Sequence, residues 1–354
     1  MGHRGSKKKS FFSKIILSFI LLLIIISGLW IYDKYKEIYQ PNITLHGKKT
    51  TCLFIPTGSS FKDVVNQLYE KNYIINTASF EWVAELKKLK NNIHPGKYLI
   101  KAGMSNDELI DLLRSGKQKP VRLVLNALRT KEQLASRISK KIEADSASLV
   151  RLLNNADFLA GYNLAKENAM LFFIPNTYEF YWNTSAEQFF ERMEEEYDRF
   201  WTEDRKNKAE RIDLSRAEIT VLASIVEQET TKNDEKSTIA GVYINRLNKG
   251  MRLEADPTII YAIGDFSITR VLDAQKEIDS PYNTYKYKGL PHGPICLPSI
   301  ASLDAVLNCQ KHDYLFFCAK EDFSGYHNFA RTYAQHVVNA KKFRRELNKR
   351  KIWK

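Results

Sequence analysis

The chain has 354 residues, 44% of them apolar and 12% aromatic, enough for two folded domains with cores of their own, which excludes a disordered polypeptide. Its formal charge of +13 sits at the ends: residues 1–14 contribute +5 and residues 341–354 contribute +7, which leaves +1 for everything between. A nearly neutral body excludes a nucleic-acid groove, and four cysteines with no C-x-x-C spacing and no nearby His pair exclude a zinc site, so neither metal nor cofactor is expected.

Ile15 to Tyr32 is an 18-residue run in which only Ser18, Ser27 and Gly28 are not apolar. As a helix it spans about 27 Å, close to the thickness of a hydrocarbon core. Arg4, Lys7, Lys8, Lys9 and Lys14 precede it, which by the positive-inside rule keeps the N-terminus cytoplasmic. A cleaved signal peptide is the competing reading. The run is longer than a usual h-region and no small-x-small site follows, so an uncleaved anchor is expected. Asp33 to Gln40 continues that helix, and Pro41 to Lys49 is a polar linker. Thr51 to Ile55 reads as a strand, Pro56 to Ser60 as a turn that supplies a helix cap, and Phe61, Val64, Val65 and Leu68 recur at helical spacing. A helix over Ser79–Leu89, a turn at Pro95-Gly96 and a strand over Lys97–Lys101 follow. Then come a capped helix from Ser105 with Leu109, Leu112 and Leu113 on one face, and a strand over Pro120–Leu125. Lys131 to Leu164 is mostly helical, Phe172 to Tyr181 is an aromatic-rich loop and strand, and Ala186 to Trp201 is a charged amphipathic helix.

The stretch Ala217 to Thr230 carries the first chemical signal. Leu222, Ile225, Val226 and Glu229 fall at i, i+3, i+4 and i+7, one helical face. Glu229 thus continues an apolar stripe, whereas Glu227 lies about 160° away around the helix. A carboxyl on a core-facing stripe is costly to ionise, so its pKa is expected to rise, as a general acid near neutral pH requires. The bland alternative is a helix-end cap or a paired charge.

Downstream come Asn245-Arg246-Leu247, Glu254-Ala255-Asp256-Pro257-Thr258, Tyr282-Asn283-Thr284-Tyr285, Gly289-Leu290-Pro291-His292-Gly293-Pro294-Ile295 and His327-Asn328-Phe329. With Glu227-Gln228-Glu229-Thr230 these segments resemble, in order, the MltG or YceG-like family, the membrane-anchored endolytic murein transglycosylases of bacteria. The resemblance spans Leu171 to His336, with weaker agreement back to about residue 50. It implies an α+β fold: a cytoplasmic basic segment (1–14), a transmembrane helix (15–32), a linker (33–49), a small LysM-like α+β module (50–125), a YceG-like catalytic domain (126–345) and a basic tail (346–354). The family's Pro-Glu-Gly segment is expected near the start of the catalytic domain, where Leu125-Asn126-Ala127-Leu128-Arg129 departs from it.

The implied reaction uses one Glu, first to protonate the β-1,4 oxygen between MurNAc and GlcNAc, then as a carboxylate to deprotonate the muramic C6 hydroxyl that closes onto C1. The resemblance assigns this role to Glu229, with Glu227 and Glu254 as secondary candidates; Glu254 stands where relatives commonly have Gln. Candidate substrate-binding residues are Asn283, Tyr285, Asp256, Thr258, the backbone of Gly289, Leu290 and Pro291, and His327. Arg246 is expected to pair with Glu227 or Asp256, and the Phe172–Tyr181 segment to line the cleft or fill the core. The implied partners are peptidoglycan strands, the membrane and peptidoglycan synthases, and the implied location is the cytoplasmic membrane with the catalytic domain outside. A muramidase that uses water and a wall-binding scaffold remain as alternatives. An extracytoplasmic site would permit a disulfide, but four cysteines allow three full pairings and spacing does not choose among them.

Overall fold

The computed structural model describes residues 6–350, with side chains from residue 12 onwards. Arg4, Lys351 and Lys354, expected to belong to the basic termini, lie outside the described residues. The chain is α+β and divides into two compact units: residues 1–121 with 181–183, and residues 122–180 with 184–354.

In the first unit α1 (Ser6–Tyr39) is one unbroken helix, exposed along its apolar stretch and long and apolar enough to cross a membrane. It is followed by β1 (Thr50–Ile55), α2 (Phe61–Glu70), α3 (Thr77–Leu86), β2 (Gly96–Lys101) and α4 (Asn106–Ser115). β1 and β2 pair antiparallel, from Thr50 opposite Lys101 to Ile55 opposite Gly96. Both α2 and α4 start with reciprocal capping boxes, Ser60 with Asp63 and Ser105 with Glu108, which satisfy amide groups a helix end leaves unpaired. The core between sheet and helices holds Leu53, Val64, Leu68, Phe80, Tyr98 and Leu109. The end of α1 joins it: Ile38 packs against this core, and the buried Asn106 side chain donates to the Glu37 carbonyl at 2.8 Å.

β3 (Val121–Val124) pairs with a later strand, not with β1 or β2. After it come α5 (Lys131–Ser139), α6 (Ser146–Leu153) and α7 (Ala156–Ala160), which make this stretch mostly helical as expected, then β4 (Thr177–Phe180), the partner of β3. The Phe172–Tyr181 segment largely fills core: Phe172, Phe173, Tyr178 and Phe180 are buried, and rings of the first two stack with Phe189 and Phe190 of α8 (Ala186–Phe200). α9 (Glu203–Arg211) leads to α10 (Arg216–Glu229), capped by a Ser215–Glu218 box.

α10 is the axis of the second unit. Every residue from Ile219 to Val226 is buried, so the helix is covered on all sides and not on a single stripe. Its cover comes from α11 (Asn233–Asn248), α12 (Asp256–Ile263) and α13 (Ile300–Leu307), through Ile239, Tyr243, Leu303 and Val306. Each fully buried Leu, Ile or Val here contributes roughly 1.5–3 kcal/mol. The antiparallel hairpin β5 (Phe316–Ala319) and β6 (His327–Ala330) and the long α14 (Tyr333–Lys349) complete the unit. All four cysteines are free thiols.

Candidate active site

Glu229 is the last residue of α10, and the chain leaves it extended at Thr230. It stands on the wall of a cleft of about 270 Å3 with Tyr243 and Arg246 from α11, Glu254 and Asp256 before and at the start of α12, and Tyr285 from the following loop. Leu253 beside Glu254, Phe316 and Phe317 of β5, and Tyr333 and His336 of α14 complete the lining.

One edge of Glu229 faces the cleft while its carboxyl is enclosed by protein. Burial pushes its pKa up to about 7; the hydroxyl of Tyr243, which donates to Oε1 at 2.6 Å, pulls it down, the Asp256 charge pushes it up, and Arg246 pulls it down. Burial wins because the carboxyl has a single hydrogen-bond donor and no ion pair among the described residues. Tyr243 is itself buried, its ring edge-on to Phe317, so it holds the carboxyl from a fixed position.

Glu227, on the same helix, has the opposite environment. Its Oε2 receives Lys236 Nζ at 2.9 Å, the hydroxyls of Ser299 and Ser302, and the Ser299 amide at 3.2 Å. Burial pushes its pKa up, but those donors outweigh it and leave the group below the ordinary glutamate value. Both carboxyls reach α11, Glu227 at Lys236 and Glu229 at Tyr243, but Glu227 is roofed by α13 and the buried Lys236 and does not line the cleft.

Arg246 pairs with neither Glu227 nor Asp256. Its guanidinium donates to the carbonyls of Leu315 (2.6 Å), Leu253 (2.8 Å) and Arg252 (3.2 Å) and meets Glu254 Oε2 at 3.3 Å, while its plane lies over Phe316. It therefore pins the 252–254 turn to β5. Glu254 takes a left-handed backbone (φ 51°), uncommon for a side-chain-bearing residue outside functional sites and turns. Asp256–Thr258 opens α12 and does not follow a strand. Asp256 accepts the Tyr285 hydroxyl, and burial, then that bond and the Asp256 charge, raise the Tyr285 pKa, so Tyr285 stays a donor.

The remaining candidates do not line the cleft. Thr258 is buried behind it, its hydroxyl bonded to the Ala255 carbonyl and against Thr284, which in turn receives the Ala255 amide. Asn283 is buried too: its amide donates to the carbonyls of Lys276 and Ile278 and accepts from the amides of Tyr285 and Lys286, which makes it the frame of the turn that presents Tyr285. In the Gly289–Ile295 loop, Gly289 has φ +88°, Leu290 packs into the core and Pro291 is buried, and Ile295 donates to Ser224 on the roofed side of α10. His327 is held by Glu235 through both its ring and its amide, at 2.9 and 2.8 Å. Sequence reasoning missed Tyr243, Phe316, Phe317, Tyr333 and His336. Only the i, i+14 separation of Tyr243 from Glu229 across a turn gave any signal, and that separation does not fix a contact. Burial, then Arg246 and Arg344, hold the His336 pKa below its ordinary value, so the ring is neutral at physiological pH.

A family model described as the YceG-like family matches residues 53–342. The chain is 30% identical over 338 residues to the endolytic murein transglycosylase of Bacillus subtilis, covering 90% of this chain and 91% of that one. The Streptococcus pneumoniae protein of the same name is 26% identical over 86% of this chain and 60% of its own length. A crystal structure of a yceG-like protein of Listeria monocytogenes aligns with a TM-score of 0.54 at 30% identity, over 82% of this chain and 99% of that one. With most of its length matched by the family model, the chain belongs to the YceG-like family.

Proposed function

We propose that this chain is a membrane-anchored lytic transglycosylase that cuts peptidoglycan strands internally, with Glu229 as its single proton-transfer residue. The names of its relatives support the reaction class. The observation that carries the assignment is the enclosed Glu229 carboxyl, whose acid form survives to about pH 7 while Tyr243 fixes its direction. The neutral carboxyl gives its proton to the bridging oxygen as the C1–O4 bond between MurNAc and GlcNAc breaks. The resulting carboxylate takes the proton of the C6 hydroxyl as that oxygen bonds to C1, so the strand leaves with a 1,6-anhydro end, Glu229 is restored, and no water is consumed. The Tyr243 hydroxyl steadies the transient carboxylate, and the Asp256 charge favours its return to the acid. The apolar α1 acts as an anchor with the second unit outside the cytoplasm, and the first unit as a LysM-like glycan-positioning module; peptidoglycan synthases are the expected neighbours.

Full-length protein in detergent micelles, given uncrosslinked strands, tests this by mass spectrometry of the new chain ends. Anhydro ends that vanish with Glu229→Gln support the reading. Reducing ends mean hydrolysis, with Glu254 and Asp256, both on the cleft wall, as the carboxylates to remove next. Intact strands bound by folded protein mean a scaffold.

A further inference from the structure

A second hollow, of about 170 Å3, is lined by Arg129, Gln228, Pro257, Ile260, Tyr261, Phe266 and Ile295. Gln228 immediately precedes Glu229 and Pro257 follows Asp256, so residues of the hollow and of the cleft are chain neighbours at the end of α10 and the start of α12. The half-buried Arg129 guanidinium is held in two ways: Nη2 donates to Gln228 Oε1 at 2.5 Å, and its plane lies 4.5 Å from the centre of the Phe266 ring. Gln228 is oriented in turn by its amide, which points at Cys296 Sγ at 3.4 Å. No carboxylate of the described residues forms an ion pair with Arg129; Glu132, exposed on α5, is near enough for its charge to act on Tyr261 in the same hollow. Arg129 also sits in the segment where this chain departs from the Pro-Glu-Gly pattern.

A stacked guanidinium held by a neutral amide and without an ion-pair partner is a receptor for a planar anion, and carboxylate is the anion its geometry matches. A murein strand carries carboxylates only on its muramic residues: on the lactyl group where the peptide is absent, on the stem peptide where it is present. The GlcNAc residues carry none. We propose that the Arg129–Gln228–Phe266 hollow binds a carboxylate borne by a muramic residue beside the scissile bond, and so decides which strand segments are cut. This inference rests on the transglycosylase reading above.

The test gives full-length wild type, Arg129→Gln and Arg129→Lys three uncrosslinked strands: peptide-bearing, peptide-bearing with the stem carboxylates amidated, and peptide-free. If the stem is read, wild type prefers the unmodified peptide-bearing strand to the amidated one by about tenfold in kcat/KM, the size of one charge-assisted hydrogen bond. Arg129→Gln brings that ratio near one, and Arg129→Lys, which keeps the charge but loses the fork, falls between. If the lactyl carboxylate is read, the preference is for peptide-free strands and is likewise lost with Arg129→Gln. Equal losses on all three strands, or unchanged ratios, overturn the proposal. Affinities of the same strands for Glu229→Gln, with and without Arg129→Gln, separate the two layers. Absence of any cutting by wild type defeats the transglycosylase reading alone, while an affinity ratio that does not depend on Arg129 defeats the carboxylate site.

Discussion

Replacing Glu229 with Gln should stabilise the second unit, and only at higher pH. The folded carboxyl titrates near 7 against 4.5 for the free side chain. The folded state therefore binds this proton more tightly than the unfolded state does. The favourable contribution is fully present below about pH 4.5 and is lost as pH rises through 7. Above that the ionised form carries a penalty of about 3 kcal/mol at 1.36 kcal/mol per unit, reduced to roughly half because one edge of Glu229 faces water in the cleft. Gln has no such titration and still offers an oxygen to the Tyr243 hydroxyl. Wild type and Glu229→Gln should thus be nearly equal at pH 4.5 and diverge by about 1.5–3 kcal/mol by pH 8.5. Hydrogen exchange of the α10 amides at matched pH reads this in the relevant unit, because the intrinsic exchange rate cancels between the two proteins. Parallel profiles across the range would refute the claim that burial governs this carboxyl.

Tyr243→Phe removes the one donor that favours the Glu229 carboxylate, so the alkaline limb of kcat/KM should move up by about one pH unit; a limb that stays or falls contradicts the assignment of the acid. Glu227→Gln leaves the buried Lys236 without its counterion and should cost about 3 kcal/mol in urea unfolding, while the chain ends produced by the surviving folded protein stay the same. Ala127, exposed and at φ 49°, occupies a conformation that Gly adopts without strain; Ala127→Gly should stabilise the second unit by about 1 kcal/mol, read by the same denaturation.

The order of strands and helices in the first unit was legible because α2, α3 and α4 begin at the capping residues Ser60, Asn76 and Ser105, and turn residues Pro56 and Gly103 follow the two strands closely. Lys131–Leu164 is mostly helical as read, in three pieces, because Asp145 and Asn155 are N-caps that open α6 and α7. The site was half legible. Glu229, Glu254, Asp256 and Tyr285 line the cleft, and all four lie in segments whose resemblance was visible. Asn283 and Thr258 lie in the same segments but turn inward, because a polar side chain at a loop corner either meets the ligand or holds the corner, and sequence gives both the same signature. The walls from Phe316 and His336 come from β5 and α14, roughly a hundred residues beyond Glu229, where no local pattern marks a contact.

Glu227 and Glu229 have one chemistry and one helix, and differ only in what surrounds them. Lys236, Ser299 and Ser302 converge on Glu227, so it is a fixed anion that ties α10 to α11 and α13. A group held ionised by several donors has little tendency to take or give a proton near neutrality, and it has no access to the cleft. Glu229 meets one hydroxyl and a nearby negative charge in a wall that is otherwise enclosed, so its two protonation states lie close in energy near pH 7. A reaction in which one group must first give and then take a proton needs that near-balance. The same comparison disfavours a second carboxylate as partner: Glu254 is engaged by Arg246 and Asp256 by Tyr285, so each is oriented by a donor before any water could be. The arrangement fits one acid that changes roles better than two acids that divide them.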